Sequence, residues 1–181
     1  MSCPPKLASW QRMRKELKSF LAPALAGRVD YSVTRYRKSH DGVGHAEILV
    51  DGKPVTNFCW ISKEMRSCAG GWDEDARKYI PAPDFDPVTR DFADYDFLAA
   101  AGLYLNSPIG ESLGGAEVLE DDDLRRHTGV LRQCLALMDR RVGKRTLQRF
   151  ATEAAAAPEI VRFFYSLRCS AEGLARDAGP S

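Results

Sequence analysis

The chain has 181 residues, 44% hydrophobic and 28% charged, with a formal net charge of +1 at pH 7. That length allows about two thirds of the unfolded surface to be buried, so a globular fold is expected. No apolar run approaches the roughly 18 residues of a membrane span, which excludes a helical membrane protein, and Met1 to Lys18 carries charges where a signal peptide has its apolar core.

The near-neutral total hides a segregated distribution. Met1 to Lys63 holds 11 Lys and Arg against 5 Asp and Glu, Glu64 to Leu124 holds 4 against 15, and Arg125 to Ser181 holds 11 against 5. Blocks of this size either pair with one another on folding or leave a polarised surface that attracts charged partners. Cys3, Cys59, Cys68, Cys134 and Cys169 are odd in number, scattered and without a Cys-x-x-Cys pair. Neither a disulfide framework nor a zinc finger is indicated. A cytoplasmic location with mostly reduced thiols is expected, and Cys59, Cys134 and Cys169, in apolar stretches, read as core.

In chain order, Ser9 caps a helix whose Trp10, Met13, Leu17, Phe20 and Leu21 form one apolar stripe, with Arg12, Arg14, Lys15 and Lys18 on the other flank; Pro23 limits it. Val29, Tyr31 and Val33 alternate with Asp30, Ser32 and Thr34, the period of a half-buried strand, so Val29 to Lys38 is expected to be one. A polar turn from Ser39 to Gly44 follows, and Ala46 to Val50 alternates again. Asp51-Gly52 is the composition of a two-residue type I′ hairpin, and Val55 to Ile61 completes an antiparallel meander. Glu64 to Pro87 is irregular and acidic. Asp86-Pro87 opens a helical region through Leu105, Ser107-Pro108 restarts a short helix, and Gly114 to Asp123 is an acidic loop. Leu124 to Met138 carries a broad apolar face, Gly143 breaks it, and Leu147 and Phe150 begin another packed turn. Pro158 opens a last helix with a stripe of Ile160, Phe163, Phe164, Leu167, Ala171 and Leu174. Ala154 to Ala157, just before it, is the one low-complexity stretch. Strands first and helices afterwards give an α+β layout.

No motif with a demanding spacing assigns a reaction. Gly110-Glu111-Ser112-Leu113-Gly114 matches the bare pattern of a hydrolase nucleophile elbow, but that elbow needs a buried strand before it and a large parallel sheet, so a helix start flanked by glycines is the better reading. Gly143-Lys144-Arg145-Thr146 resembles the end of a phosphate loop, yet Met138 and Arg145 stand where glycine and Ser/Thr are required. What remains there is Arg140, Arg141, Lys144, Arg145 and Arg149, opposed by Asp139 alone. Such a cluster either binds an anion or pairs with the acidic segment. Arg35, Arg37, Lys38, His40 and Asp41 gather at the end of the first strand. His40 with Asp41 is a possible base and orienting carboxylate, but only in a turn, since neighbours on a strand point to opposite faces. His40, Asp41 and His45 lack a specific metal-ligand spacing. Glu120 to Asp123 lacks the alternating ligands and central glycine of a calcium loop. Neither a metal nor a cofactor is expected.

Several stretches together carry a resemblance. Trp10 to Leu17, Phe20-Leu21-x-Pro23, Gly27-Arg28-Val29-x-Tyr31, Thr34-x-Tyr36-Arg37-Lys38-x-His40-Asp41, Val50-Asp51-Gly52-Lys53, Asp139-Arg140-Arg141-Val142-Gly143-Lys144-Arg145 and Phe164-Tyr165-x-Leu167-Arg168-x-x-Ala171-Glu172-Gly173 resemble a family of small bacterial proteins with no established activity. The likeness spreads over nearly the whole chain, which implies one domain. It departs around Lys63 to Asp84 and Gly114 to Arg126, and draws attention to the Tyr36 to Asp41 turn and the Asp139 to Arg145 helix break.

The expectation is a single α+β domain over residues 1–176 with a frayed tail at 177–181: an N-terminal helix, a three-stranded antiparallel meander, and a mainly helical C-terminal half packed on the sheet. The expected function is a non-enzymatic cytoplasmic binding domain. Its contact residues are Arg37, Lys38, Arg140, Arg141, Lys144 and Arg145, facing an acidic protein surface or nucleic acid and no membrane. The alternatives are an enzyme acting on a phosphate-bearing substrate with His40 as acid or base, and a scaffold whose charges pair internally.

Overall fold

Met13 and Leu17, one helical turn apart, are the buried residues of helix α1 (Trp10–Phe20), while Arg12, Arg14, Lys15 and Lys18 are exposed on its other flank. A helix with one apolar stripe has to dock it, and α1 docks on the sheet and on the helices that follow. The computed structural model describes residues 10–35, 44–56, 58–59, 94–114 and 123–174.

Strand β1 (Val29–Arg35) pairs antiparallel with β2 (Gly44–Val50), in a register running from Val29 opposite Val50 to Arg35 opposite Gly44. The hairpin after β2 is of type I′, with φ of 52° at Asp51 and 76° at Gly52, as the Asp-Gly pair requires. Its third strand comes in two pieces. β3 (Lys53–Pro54) lies opposite Val50 and Leu49, and β4 (Phe58–Cys59) lies opposite Ala46 and His45. Between them this side has one residue more than β2, which is a β-bulge. The bulge is held by buried Thr56, whose hydroxyl accepts from the Ile48 amide at 2.8 Å, and by the Val55 amide donating to the Ile48 carbonyl at 2.9 Å. The strand expected from Val55 therefore starts two residues earlier and is interrupted, because Thr56 turns its hydroxyl into the ladder where a backbone carbonyl would sit. The last part of the expected first strand, the turn after it, and residues 60–93, including the expected Asp86-Pro87 helix start, lie outside the described residues.

Val29, Tyr31, Ala46, Ile48 and Phe58 bury one face of this sheet. Helix α2 (Asp94–Asn106) lies on that face and inserts Phe97. Its ring is stacked 5.2 Å from Phe58 and 6.2 Å from Tyr31, with Trp10 of α1 edge-on at 6.2 Å. The rest is helical: α3 (Ile109–Leu113), α4 (Asp123–Leu137), α5 (Lys144–Arg149), α6 (Ala151–Ala156) and α7 (Glu159–Ala171). Helix α6 is the alanine-rich stretch, a composition with high intrinsic helix propensity. Buried residues from α1 through α7 form one hydrophobic cluster, and Cys134 and Cys169 are buried free thiols within the fold. The fold is α+β in the expected order: an N-terminal helix, an antiparallel three-stranded sheet, and a mostly helical C-terminal half.

Helix α7 does not present the stripe its periodicity suggests. Ile160, Val161, Phe164, Arg168 and Cys169 are buried, whereas Phe163 is 37% exposed and Leu167, Ala171 and Leu174 are half-buried at the rim. The buried face is turned toward Val161 and Arg168 because the Arg168 guanidinium is needed inside, as described below. The Gly173 backbone, with φ of 65°, closes the helix in a Schellman motif, with the Leu174 amide on the Cys169 carbonyl at 2.9 Å.

Two measurements check this packing. Phe164→Ala should cost about 3–5 kcal/mol in a denaturation curve, whereas Phe163→Ala, losing mainly an edge contact with Phe164, should cost at most about 1.5 kcal/mol. The second concerns Asp30 on β1. Burial pushes its carboxyl up, but Arg14, the Tyr31 amide and Lys18 outweigh that and hold it at about 2, below the ordinary 3.8. The native state therefore binds fewer protons than the unfolded chain in that window, and stability should fall as pH drops from about 4 toward 2. Asp30→Asn should flatten that part of the stability curve.

Candidate functional site

The turn between α4 and α5 gathers most of the charge that the sequence singles out, and it is built from the backbone upward. Helix α4 ends with the Met138 and Asp139 amides on the carbonyls of Leu135 and Ala136, at 3.2 and 3.0 Å. The turn then pairs with the segment that leaves α1: the Ala22 amide donates to the Met138 carbonyl at 2.9 Å and the Arg140 amide to the Phe20 carbonyl at 2.8 Å, a bridge centred on Leu21 and Asp139.

Inside the turn the Asp139 side chain is fully buried. Its oxygens accept from the Arg141 amide at 2.7 Å, from Arg141 Nη2 at 2.6 Å and from the Tyr104 hydroxyl of α2 in a short bond. Burial first, and then the bond to Asp139, push the Tyr104 phenol well above its ordinary range, so it stays a donor. The Arg141 guanidinium lies 4.3 Å from the Phe20 ring centre, a cation–π contact over the end of α1, and its bond to Asp139 raises its pKa further. From the other side, Arg168 of α7 donates to the carbonyls of Met138, Asp139 and Val142 at 3.2, 3.3 and 3.0 Å. Burial lowers the Arg168 pKa, against the attraction of Glu172, whose Oε1 lies 3.1 Å away. Lys144, at the start of α5, donates to the Glu172 backbone carbonyl at 3.0 Å and lies 3.6 Å from its carboxylate.

The basic run is thus sorted into two sets. Arg141 and Lys144 are tied to carboxylates of their own chain. Arg140, Arg145 and Arg149 are exposed and, among the described residues, have no carboxylate partner. Arg145 and Arg149, with Gln148 between them, line an open depression of about 610 Å3. Their spacing of i, i+3 and i+4 puts all three on one face of α5. Of the exposed cations elsewhere, Arg14 and Lys18 pair with Asp30 at 2.5 and 3.1 Å and Arg28 with Asp51 at 2.7 Å, while Arg12, Lys15 and Lys53 are exposed without an ion pair among the described residues.

Of the other expected site residues, Arg37, Lys38, His40 and Asp41 lie outside the described residues, and so does their placement relative to the Gly143 break. His45 on β2 sits 2.7 Å from Glu47, and among the described residues no group of three or more His, Cys, Asp or Glu could hold a metal ion. Ser112, the central residue of the elbow-like pattern, is buried in the short helix α3, follows a helix rather than a strand, and faces Arg132 Nη2 at 3.4 Å. It packs α3 on α4, alongside the Gln133 side-chain amide on the Leu113 carbonyl at 2.8 Å.

Sequence reasoning did not single out Phe20, Tyr104, Arg168 or Glu172 as partners of the turn, nor Gln148 as part of the exposed face. One signal was present: Arg168 falls between Phe164 and Cys169, both core residues, and a cation at such a position needs internal partners.

What the fold and this site define is an α+β protein in which a turn built around buried Asp139 leads into a short arginine-bearing helix at the surface. A family model, that of the SF0329 protein family, matches residues 9–169, and the chain belongs to that family. No curated protein and no solved structure matches it. Among the described residues no helix is long and apolar enough to cross a membrane.

Because Asp139→Ala leaves the buried Tyr104 hydroxyl and the Arg141 amide without their acceptor, it should destabilise the protein in urea by about 1–3 kcal/mol for each donor left unmatched. Arg145→Ala, at an exposed position, should stay within about 0.5 kcal/mol of the parent.

Proposed function

We propose that this chain is a non-enzymatic binding domain of the bacterial cytoplasm that presents an arginine surface to an acidic partner. The observation that carries this reading is the contrast within residues 140–149. All five cations reach the surface, but Arg141 and Lys144 pair with Asp139 and Glu172, while Arg140, Arg145 and Arg149 have no carboxylate partner among the described residues, and Arg145 and Arg149 line an open rather than enclosed depression. Unpaired cations grouped on one surface raise the local concentration of anionic partners and speed their capture. An open face suits a macromolecular surface better than a small substrate, which is usually enclosed in a concave pocket. The buried free thiols of Cys134 and Cys169 agree with a reducing compartment.

The contact set put forward is therefore Arg140, Arg145 and Arg149, with Arg141 and Lys144 holding the surface in place. Retention on immobilised heparin across a salt series, together with a thermal midpoint, tests it. The triple substitution Arg140→Ala/Arg145→Ala/Arg149→Ala should abolish retention and leave the midpoint within a degree or two. Arg141→Ala/Lys144→Ala should lower the midpoint by several degrees, since each kcal/mol lost shifts it by about 2–4 °C in a domain of this size. Wild-type protein that passes through heparin at low salt would sink the reading.

A further inference from the structure

We infer that the acidic partner of the α5 face is the phosphate backbone of a nucleic-acid duplex, contacted by Arg145 and Arg149 with Gln148 between them. This deepens the binding reading above and rests on it. The face carries donors suited to phosphate oxygens: two guanidiniums and one side-chain amide, the groups that make most backbone contacts to nucleic acid. They line an open depression, so a continuous strand can cross it without having to enter an enclosed pocket.

The aromatic groups nearest in the fold argue against single-stranded bases as the ligand. Capture of single strands relies on rings free to stack with the bases. The rings packed beside α5 are Phe150, which is buried, and Tyr165, which is half-buried, lies 6.0 Å from Phe150 and donates its hydroxyl to the Leu147 carbonyl at 3.1 Å. Both are committed to the interior. A surface with guanidiniums and, among the described residues, no free ring packed beside them reads charge and backbone shape rather than base identity, so binding is expected to be weak, indifferent to sequence and strongly salt-dependent.

An acidic peptide would meet the same positive charge, and the experiment separates the two. Fluorescence anisotropy of the full chain is recorded over a salt series with three labelled probes: a duplex of about 20 base pairs, one of its strands alone, and polyglutamate of similar charge. The duplex should bind most tightly. Each phosphate contact contributes about 0.9 to the slope of log K against log salt, so Arg145→Gln/Arg149→Gln should lower the slope by about 1.8. Arg145→Lys/Arg149→Lys should keep it. All of these positions are exposed, and an unchanged thermal midpoint confirms that each variant is folded. Polyglutamate binding as tightly as the duplex would overturn the duplex assignment and leave the acidic-partner reading in place. Single strand binding as tightly as the duplex would overturn it as well. Binding of none of the three probes at low salt would overturn both readings together.

Discussion

A carboxylate removed from water costs several kcal/mol unless its oxygens are matched by donors, and Asp139 is matched by three groups from two elements. Its own turn supplies the Arg141 amide and guanidinium, and α2 supplies the Tyr104 hydroxyl. Each donor fixes a piece of the fold: Tyr104 registers α2 against the end of α4, and Arg141 is pinned flat over Phe20 at the end of α1. Arg168 then takes up the carbonyls on the outer side of the same turn, which sets the rotation of α7. Four helices meet at one six-residue turn because the polar groups of that turn have to be satisfied away from water.

That turn leads into the arginine-bearing helix α5, which is only six residues long. A helix of this length has little stability of its own. It is held by Lys144 on Glu172 at its start, by buried Leu147 in its middle, and by Phe150 against Tyr165 at its end. Arg145, Gln148 and Arg149 are left on the face that none of these anchors uses. Rigid presentation matters for binding, since ordering a mobile segment would subtract from the affinity of a small contact.

The same logic orders the sheet side. Phe97 from α2 stacks between Phe58 and Tyr31, so the helix that provides Tyr104 to Asp139 is also the one seated on the strands. Phe97 and Tyr104, which serve the aromatic cluster and the polar turn, sit about two turns apart along α2. Charges on this side are neutralised locally, with Arg14 and Lys18 on Asp30 and Arg28 on Asp51. Segregated charge is therefore resolved partly by short-range pairing within each block, and the exposed arginines around α5 are among the cations left over in the described residues.

Local features were legible in the chain as written. The alternation of Val29, Tyr31 and Val33, the Asp51-Gly52 turn with its two positive φ angles, the apolar stripe of α1 and the break at Gly143 each depend on residues within a few positions of one another, so periodicity and turn chemistry determined them. The division of the basic run was not legible. Arg141 and Arg145 look alike in sequence and both reach the surface, and only the fold, by burying Asp139 with its oxygens turned to Arg141, separates the fixed cation from the available one. The rotation of α7 away from Phe163 and the bulge at Thr56 were decided in the same way. A side-chain guanidinium or hydroxyl satisfied a distant backbone group, and an interaction between residues so far apart in the chain leaves no period for sequence to show.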